Sequence, residues 1–330
     1  MSTFRVIGAG SPLVDYTASV DDLFLQQNIP GGKGGTLHID GAERRRIFSA
    51  ITSPVLRTPG GAAANTISAL GKLQVDSAFF GKTGNDEDGD FFRKELASCG
   101  VSTEYLICAQ GETGYCISLV TPDAERTMRS DLGISTDLSD ADWQKCDFSG
   151  FSWLLSEGYM LQIPGFENIF SHAHKGNCSV ALDLSSIEIA RQKRNELPDL
   201  LKTQVDMVLC NRDEAAALTG ISDPEKNLHY LAGLCRIAIV KLGADGSLIM
   251  RQNESAIRIP ACDFGVAVDT TAAGDHYAAG IFYGLSRGFS LEKCGRCGAL
   301  LGGAAAAVNG SRLTGEMWQN VMKKIVELQD

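Results

Sequence analysis

The sequence predicts an α/β fold, a doubly wound parallel sheet flanked by helices with a small β-sheet lid beside it. Three observations carry that expectation. Short apolar runs alternate with amphipathic segments along most of the 330 residues, the pattern of parallel strands joined by helical crossovers. The 36 glycines fall in clusters rather than at a fixed period, marking places where the backbone turns tightly or lets a ligand approach. Two stretches of strand-like composition with turn residues interrupt the alternation.

In chain order, residues 4–9 form an apolar run of buried-strand length. Residues 15 to about 40 are the first interruption. Apolar spacing then predicts a helix over 63–73, a strand over 77–81 and a helix over 88–99. The second interruption, 113 to about 128, contains the strand-like Tyr115-Cys116-Ile117-Ser118-Leu119-Val120. No Pro/Ser/Gly spacer flanks either stretch, so the lid, about 14–42 and 112–130, is expected as an insertion in one domain spanning 1–330. Strands over 151–155, 179–184, 206–210 and 237–242 alternate with helices over 167–175, 188–203, 212–219 and 224–234. Helices over 274–287, 291–308 and 316–328 complete the chain.

Composition excludes several functions. A formal charge of −10 argues against a nucleic-acid groove but not against a small anionic ligand, which needs only a local positive site. No run reaches the roughly 18 apolar residues that span a bilayer, and residues 1–10 lack a signal-peptide pattern. The ten cysteines therefore read as reduced thiols in a cytoplasmic protein. Cys294 and Cys297 form a C-x-x-C without a second pair, and read as helix residues rather than a zinc site. His172 and His174 read as solvent-exposed, and Glu43-Arg44-Arg45-Arg46 as a solvated helix face.

Two glycine motifs are decoys. Gly8-Ala9-Gly10-Ser11-Pro12-Leu13 lacks the third glycine of a dinucleotide fingerprint, and Gly81-Lys82-Thr83 lacks the earlier glycine of a P-loop. The strongest segment is Asp269-Thr270-Thr271-Ala272-Ala273-Gly274-Asp275-His276-Tyr277, followed by apolar residues at helical spacing. Small residues opening a helix leave N–H groups facing outward at its positive end, an anion site with Asp275 in the first turn. Taken alone, Asp275 reads first as a helix cap. Three more segments follow strands or enter helices: Pro59-Gly60-Gly61-Ala62-Ala63-Ala64-Asn65, Asn211-Arg212-Asp213-Glu214, and Lys241-Leu242-Gly243-Ala244-Asp245-Gly246. Motifs at the carboxyl ends of parallel strands converge on one crevice.

In this order the motifs resemble those of the PfkB, or ribokinase-like, carbohydrate kinases over nearly the whole chain. Gly60-Gly61…Asn65…Leu70-Gly71 resembles the N-terminal signature, Asp269 to Asp275 the C-terminal one, and Asn211 with Glu214 the N-x-x-E motif. The long lid, Thr113-Gly114, Glu125-Arg126-Thr127-Met128 and Gly158-Tyr159 are similar to adenosine kinases and their bacterial relatives. The resemblance implies an ATP- and magnesium-dependent kinase acting on the primary hydroxyl of a ribose-type sugar or nucleoside, with adenosine leading. Asp275 would be the general base and the N–H groups of Ala272, Ala273 and Gly274 the anion hole. Arg126 would neutralise phosphate charge. Asp15, Gly60, Gly61, Asn65, Ser11 and Tyr159 would meet the acceptor. Asn211, Lys241, Gly243, Gly246 and Thr270 would meet the nucleotide, and Glu214 would position Mg2+. A monovalent cation such as K+, and either a monomer or a homodimer through the lid, remain open.

Two departures from the family pattern stand out. Ala272 replaces the usual first glycine of the anion hole; if the backbone there needs positive φ, alanine costs roughly 1 kcal/mol. Ser11 sits where adenosine kinases commonly carry asparagine. An aspartate base with an ordinary pKa near ~4 would help only late in transfer. His276 reads as a packing residue. Tyr16, Leu37, Cys116 and Tyr159 read equally as the lining of an apolar pocket for a base and as ordinary lid packing. The alternatives are a ribokinase- or fructokinase-type sugar kinase and a catalytically silent sugar- or nucleotide-binding regulator.

Overall fold

The computed structural model describes residues 4–123 and 125–328. Its strands, in chain order, are β1 (Arg5–Ala9), β2 (Leu13–Ser19), β3 (Thr36–His38), β4 (Val55–Gly60), β5 (Asp76–Gly84), β6 (Leu106–Ala109) and β7 (Thr113–Val120). They continue with β8 (Arg126–Gly133), β9 (Trp153–Glu157), β10 (Ser179–Asp183), β11 (Met207–Asn211), β12 (Ile237–Lys241), β13 (Ser247–Arg251) and β14 (Ile257–Ile259). Nine of them form one sheet in the order β14-β13-β12-β11-β10-β9-β1-β5-β6. From β12 to β6 every neighbouring pair is parallel.

The parallel strands are short because both faces are buried. Along β1, Val6 packs into one hydrophobic cluster and Ile7 into the other, and Leu155 and Leu154 of β9 divide the same way. That alternation needs only five residues of Val, Ile, Leu or Ala, as the apolar runs predict. The edge differs from the expectation. The turn after β12, where Leu242 N donates to the Gly246 carbonyl, returns the chain as the antiparallel strands β13 and β14. A turn of so few residues cannot make a parallel crossover.

The helices largely follow the apolar spacing, with one division. The expected helix over 188–203 is two, Ile187–Gln192 and Leu197–Gln204. Pro198 lacks an N–H and suits a helix's first turn, so a new helix starts there. The C-x-x-C lies within the helix Leu291–Ala306, both thiols buried against the helix Ala273–Ser286. A Cβ at Gly280 would strike the Cys297 backbone and one at Gly284 the Cys294 side chain. Glycine there lets two helices close, which is what this cysteine pair packs against.

The remaining strands form a second sheet, β3-β8-β7-β2-β4. It draws on residues 13–60 and 113–133 and includes two helices, Asp22–Asn28, where the composition is strand-like, and Gly41–Ala50, which carries the helix face expected over 43–46. Their side chains Leu25, Ile29 and Ile47 cover one face through Ala18, Tyr115, Ile117 and Leu119. Period-two alternation puts Tyr16 on this covered face. Its hydroxyl donates to Asp88, and its ring packs edge-on against Phe48. Leu37 lies across from Arg129 on that face too. Neither can line a base pocket with Asp15 and Cys116, which are paired on the opposite face. Arg44 likewise leaves the expected solvated surface: it bonds Asp88 at 2.6 Å and stacks over Tyr115 at 4.1 Å.

Candidate active site

Strand β1 sits at the point where the order reverses, with β5 on one side and β9 on the other. Such a point opens a crevice beyond the carboxyl ends of the strands. Ser11 after β1, Glu157 ending β9, Asp183 ending β10, Asn211 ending β11 and Lys241 ending β12 all stand there.

Two helices aim their N-termini at the crevice. The first, Ala62–Lys72, is entered through Gly61 at φ 98°. A Cβ on Gly61 would sit 2.5 Å from the Ser11 carbonyl oxygen, and one on Gly60 would overlap the Asp15 carboxyl group. Both glycines are thus explained by close approach. The second helix, Ala273–Ser286, is entered through Ala272 in the left-handed region, φ 59° and ψ 4°. The costly alternative holds: an alanine occupies a conformation that its Cβ disfavours by roughly 1–2 kcal/mol. Ala273 N donates to the Thr270 carbonyl at 3.2 Å across the turn, and the other N–H groups of this first turn have no acceptor within the helix, an arrangement that suits an anion.

Asp275 stands in that turn. Asn65 Nδ2 donates to its Oδ2 at 2.9 Å, and Thr66 Oγ1 donates to its backbone carbonyl at 3.0 Å. Removal from water raises the Asp275 pKa to about 7; the Asn65 bond and Lys241 oppose that rise, while Asp183 and Glu157 add to it. A carboxyl group titrating near neutrality beside an anion hole can take a proton from an alcohol earlier in transfer than one near ~4 could. His276 is buried, and its Nδ1 lies 3.0 Å from the Ala272 carbonyl oxygen. Burial lowers its pKa to about 4, so the ring is neutral near pH 7.

Beneath the hole lies a charged cluster that motif reading missed in part. Lys241 Nζ donates to Asp183 at 2.8 Å, and a Cβ on Gly274 would sit 3.1 Å from that nitrogen. Burial pulls the Lys241 pKa down, but Asp183 and Glu214 outweigh it and hold the ammonium charged. Lys241 is therefore a partly buried cation under the helix entry. Asn211 and Glu214 close a capping box: Asn211 N and Nδ2 each donate to the Glu214 carboxylate at 2.8 Å. Burial pushes the Glu214 pKa up. Among the described residues no three His, Cys, Asp or Glu side chains form a metal-binding group. Mg2+ needs no such cage, because it keeps waters and takes one or two carboxylates plus phosphate oxygens. Glu214, with Asp183 close enough to perturb it, fits that donor set.

The second sheet supplies the opposite wall. Asp15 on β2 is raised to about 7 by burial, against the lowering charge of Arg126. Arg126 opens β8 and is ion-paired with Asp269 Oδ2. Asp269 also accepts from Thr271 N at 2.9 Å and Gly310 N at 2.7 Å, which organises the loop before the anion hole. Arg126, Asp269, Thr270, Thr271, Val268 and Asn309 border a cleft of about 380 Å³. A second, narrow crevice is lined by Asp275, Asp183, Glu157 and Ala63.

Ser11 is buried, its N–H donating to Glu157 at 2.8 Å and its hydroxyl near Met160. Gly243, at φ 64°, opens onto free space after β12, whereas Gly246 only closes the β12–β13 turn: a Cβ there would strike the Ile259 carbonyl. Tyr159 is 41% exposed, beside Ser186. His172, expected in solvent, is half-buried and bonds the Cys146 carbonyl oxygen at 3.1 Å. Glu157 and Asp183 escaped sequence reading. Glu157 accepts from Ser11 N and from Ala63 N, at 2.8 and 2.9 Å, tying β1 to the first helix. Their signal was an acidic residue ending an apolar strand, Leu154-Leu155-Ser156-Glu157 and Ala181-Leu182-Asp183.

Comparison with known proteins agrees with this geometry. The family model "pfkB family carbohydrate kinase" matches residues 51–317. The crystal structure of adenosine kinase from Sinorhizobium meliloti superposes with a TM-score of 0.86 at 30% identity, covering 98% of this chain and 99% of that one. Aminoimidazole riboside kinase of Salmonella typhimurium is 29% identical over 243 residues, 70% of this chain and 75% of its own. ATP-dependent ribose-1-phosphate kinase of Halopiger xanaduensis is 30% identical over 257 residues, 75% of this chain and 81% of its own. Strand-end carboxylates, a helix-borne anion hole and a matching family model thus lead to one statement: the chain belongs to the pfkB family of carbohydrate kinases, phosphotransferases that use ATP and act on a hydroxyl of a sugar or nucleoside.

Proposed function

We propose that this kinase phosphorylates the primary hydroxyl of a ribose-type nucleoside, with adenosine the leading acceptor. The observation that carries the reading is the whole-length likeness to an adenosine kinase at 30% identity, including the second sheet. In this reading the acceptor lies against Asp15, Gly60, Gly61 and Asn65, with its hydroxyl at Asp275. Asp275 takes the proton as the oxygen bonds to phosphorus, and the hydroxyl oxygen displaces ADP from the γ-phosphate. The first-turn N–H groups of Ala272, Ala273 and Gly274 stabilise the charge on the moving phosphoryl group. Glu214 would hold Mg2+, which when bound would neutralise phosphate charge. The phosphates extend toward Arg126 and Thr270, and the nucleotide toward Gly243. The second sheet acts as a lid that excludes water, which prevents wasteful ATP hydrolysis.

A free-sugar acceptor is the second reading, favoured by a ribokinase and a fructokinase among the relatives. ATP consumption with Mg2+ across adenosine, inosine, ribose and fructose separates the two. At least a tenfold higher kcat/KM for adenosine than for ribose is expected; the reverse order overturns the nucleoside assignment. Asp275→Asn should lower kcat by about 10²- to 10⁴-fold while ATP still binds. Unchanged turnover would remove Asp275 as the base.

A further inference from the structure

The anion hole depends on a residue outside the family signature. Ala272 is one of five non-glycine residues with positive φ among the described residues, and it alone opens the helix that carries Asp275. Its conformation sets the direction of the first-turn N–H groups. Left to itself, alanine would relax toward negative φ and swing them away.

Ala273 N donates to the Thr270 carbonyl at 3.2 Å and closes the turn across Ala272, and two further bonds, both from His276, hold the Ala272 carbonyl itself. The His276 backbone N–H donates to the Ala272 carbonyl oxygen at 2.9 Å, the ordinary helical bond. Its ring Nδ1 lies 3.0 Å from the same oxygen. A carbonyl can only accept, so the proton resides on Nδ1, and the oxygen's two lone pairs are both used. The ring is held in place by burial and by Trp318, whose ring centroid lies 6.5 Å away.

We propose that His276 is a positioning residue for phosphoryl transfer: its Nδ1–H bond holds Ala272 in the left-handed conformation and thereby aims the anion-hole amides. His276 touches neither acceptor nor phosphate. It acts on the reaction through Ala272, and the need for it arises from the alanine. A glycine at that position adopts positive φ without strain and needs no second bond. The inference rests on the reading of the first-turn amides as the site of phosphoryl transfer.

The test is a double-mutant cycle. His276→Phe fills the space without donating, and His276→Asn keeps a donor at the γ-branch. With the acceptor that turns over best, His276→Phe should lower kcat at least tenfold while the acceptor KM changes less than about twofold. His276→Asn should recover most of that loss. In the Ala272→Gly background the same His276→Phe change should cost less than about threefold relative to Ala272→Gly itself. Equal costs in both backgrounds would overturn the proposal, because His276 would then act independently of Ala272.

A second measurement needs neither activity nor a stable variant. Long-range 1H–15N correlation of the 15N-histidine-labelled wild type should show His276 as the neutral Nδ1–H tautomer; the Nε2–H tautomer would overturn the proposed bond. Silence of the wild type toward every acceptor would refute the proposed function. The cycle is then read in thermal unfolding, where His276→Phe should lower Tm more in the Ala272 protein than in the Ala272→Gly background, and equal shifts would overturn the proposal.

Discussion

At the scale of single residues, Asp275 shows how placement changes chemistry. Its family position suggests a base of ordinary strength, yet burial lifts its pKa to about 7. The ascending limb of kcat/KM against pH should therefore fall near neutrality rather than near pH 4. Asn65 donates to the charged form and holds the pKa down, so Asn65→Ala should move that limb upward. The same shift bears on stability. The folded-state pKa lies above the unfolded value, so the contribution of Asp275 is complete below about pH 4 and is lost as pH rises through about 7. Asp275→Asn carries no such loss. Its Tm relative to wild type should rise by about 2 °C or more between pH 5 and pH 8 in thermal unfolding; a constant difference would mean that Lys241 fully compensates the charged carboxylate.

At the scale of elements, two contacts decide how pieces meet. Arg126 joins β8 to the Asp269 loop, the one ion pair we identify between the second sheet and the segment leading into the anion hole among the described residues. Arg126→Met keeps the side-chain length and removes the charge. It should raise the ratio of ADP formed without acceptor to ADP formed with it, because water then reaches the γ-phosphate more often. The other contact is between the helices Ala273–Ser286 and Leu291–Ala306, where Gly280 meets the Cys297 backbone. Backbone cannot yield as a side-chain tip can. Gly280→Ala should destabilise the protein by about 1–3 kcal/mol in urea unfolding, and since that helix begins at the anion hole, kcat should fall with it. An unaltered urea midpoint would show that the two helices can separate freely.

At the scale of the whole molecule, the site is assembled from strand ends spread over more than 200 residues, from Ser11 to Lys241. The large sheet brings them together because its order reverses at β1. A net charge of −10 coexists with a site for anionic phosphate. The charges that a phosphate would meet there, helix N-termini with Lys241 and Arg126 each paired to a carboxylate, are local and therefore invisible in a sum over the chain.

The sequence by itself determined the parallel sheet, since apolar runs such as Val6-Ile7 and Leu154-Leu155 must bury both faces. It also determined where glycine was needed, at Gly60 and Gly61, and where a small-residue helix entry carries Asp275. Those are local properties, written in spacing and residue size. Tertiary structure alone decided what depends on neighbours far along the chain. It turned Lys241 under the helix entry through Asp183, 58 residues away, and it placed Tyr16 and Leu37 on the covered face of the second sheet. It also fixed the sign of φ at Ala272, which no property of alanine reveals, because the carbonyl there is held by a histidine ring whose position only the packed helix defines.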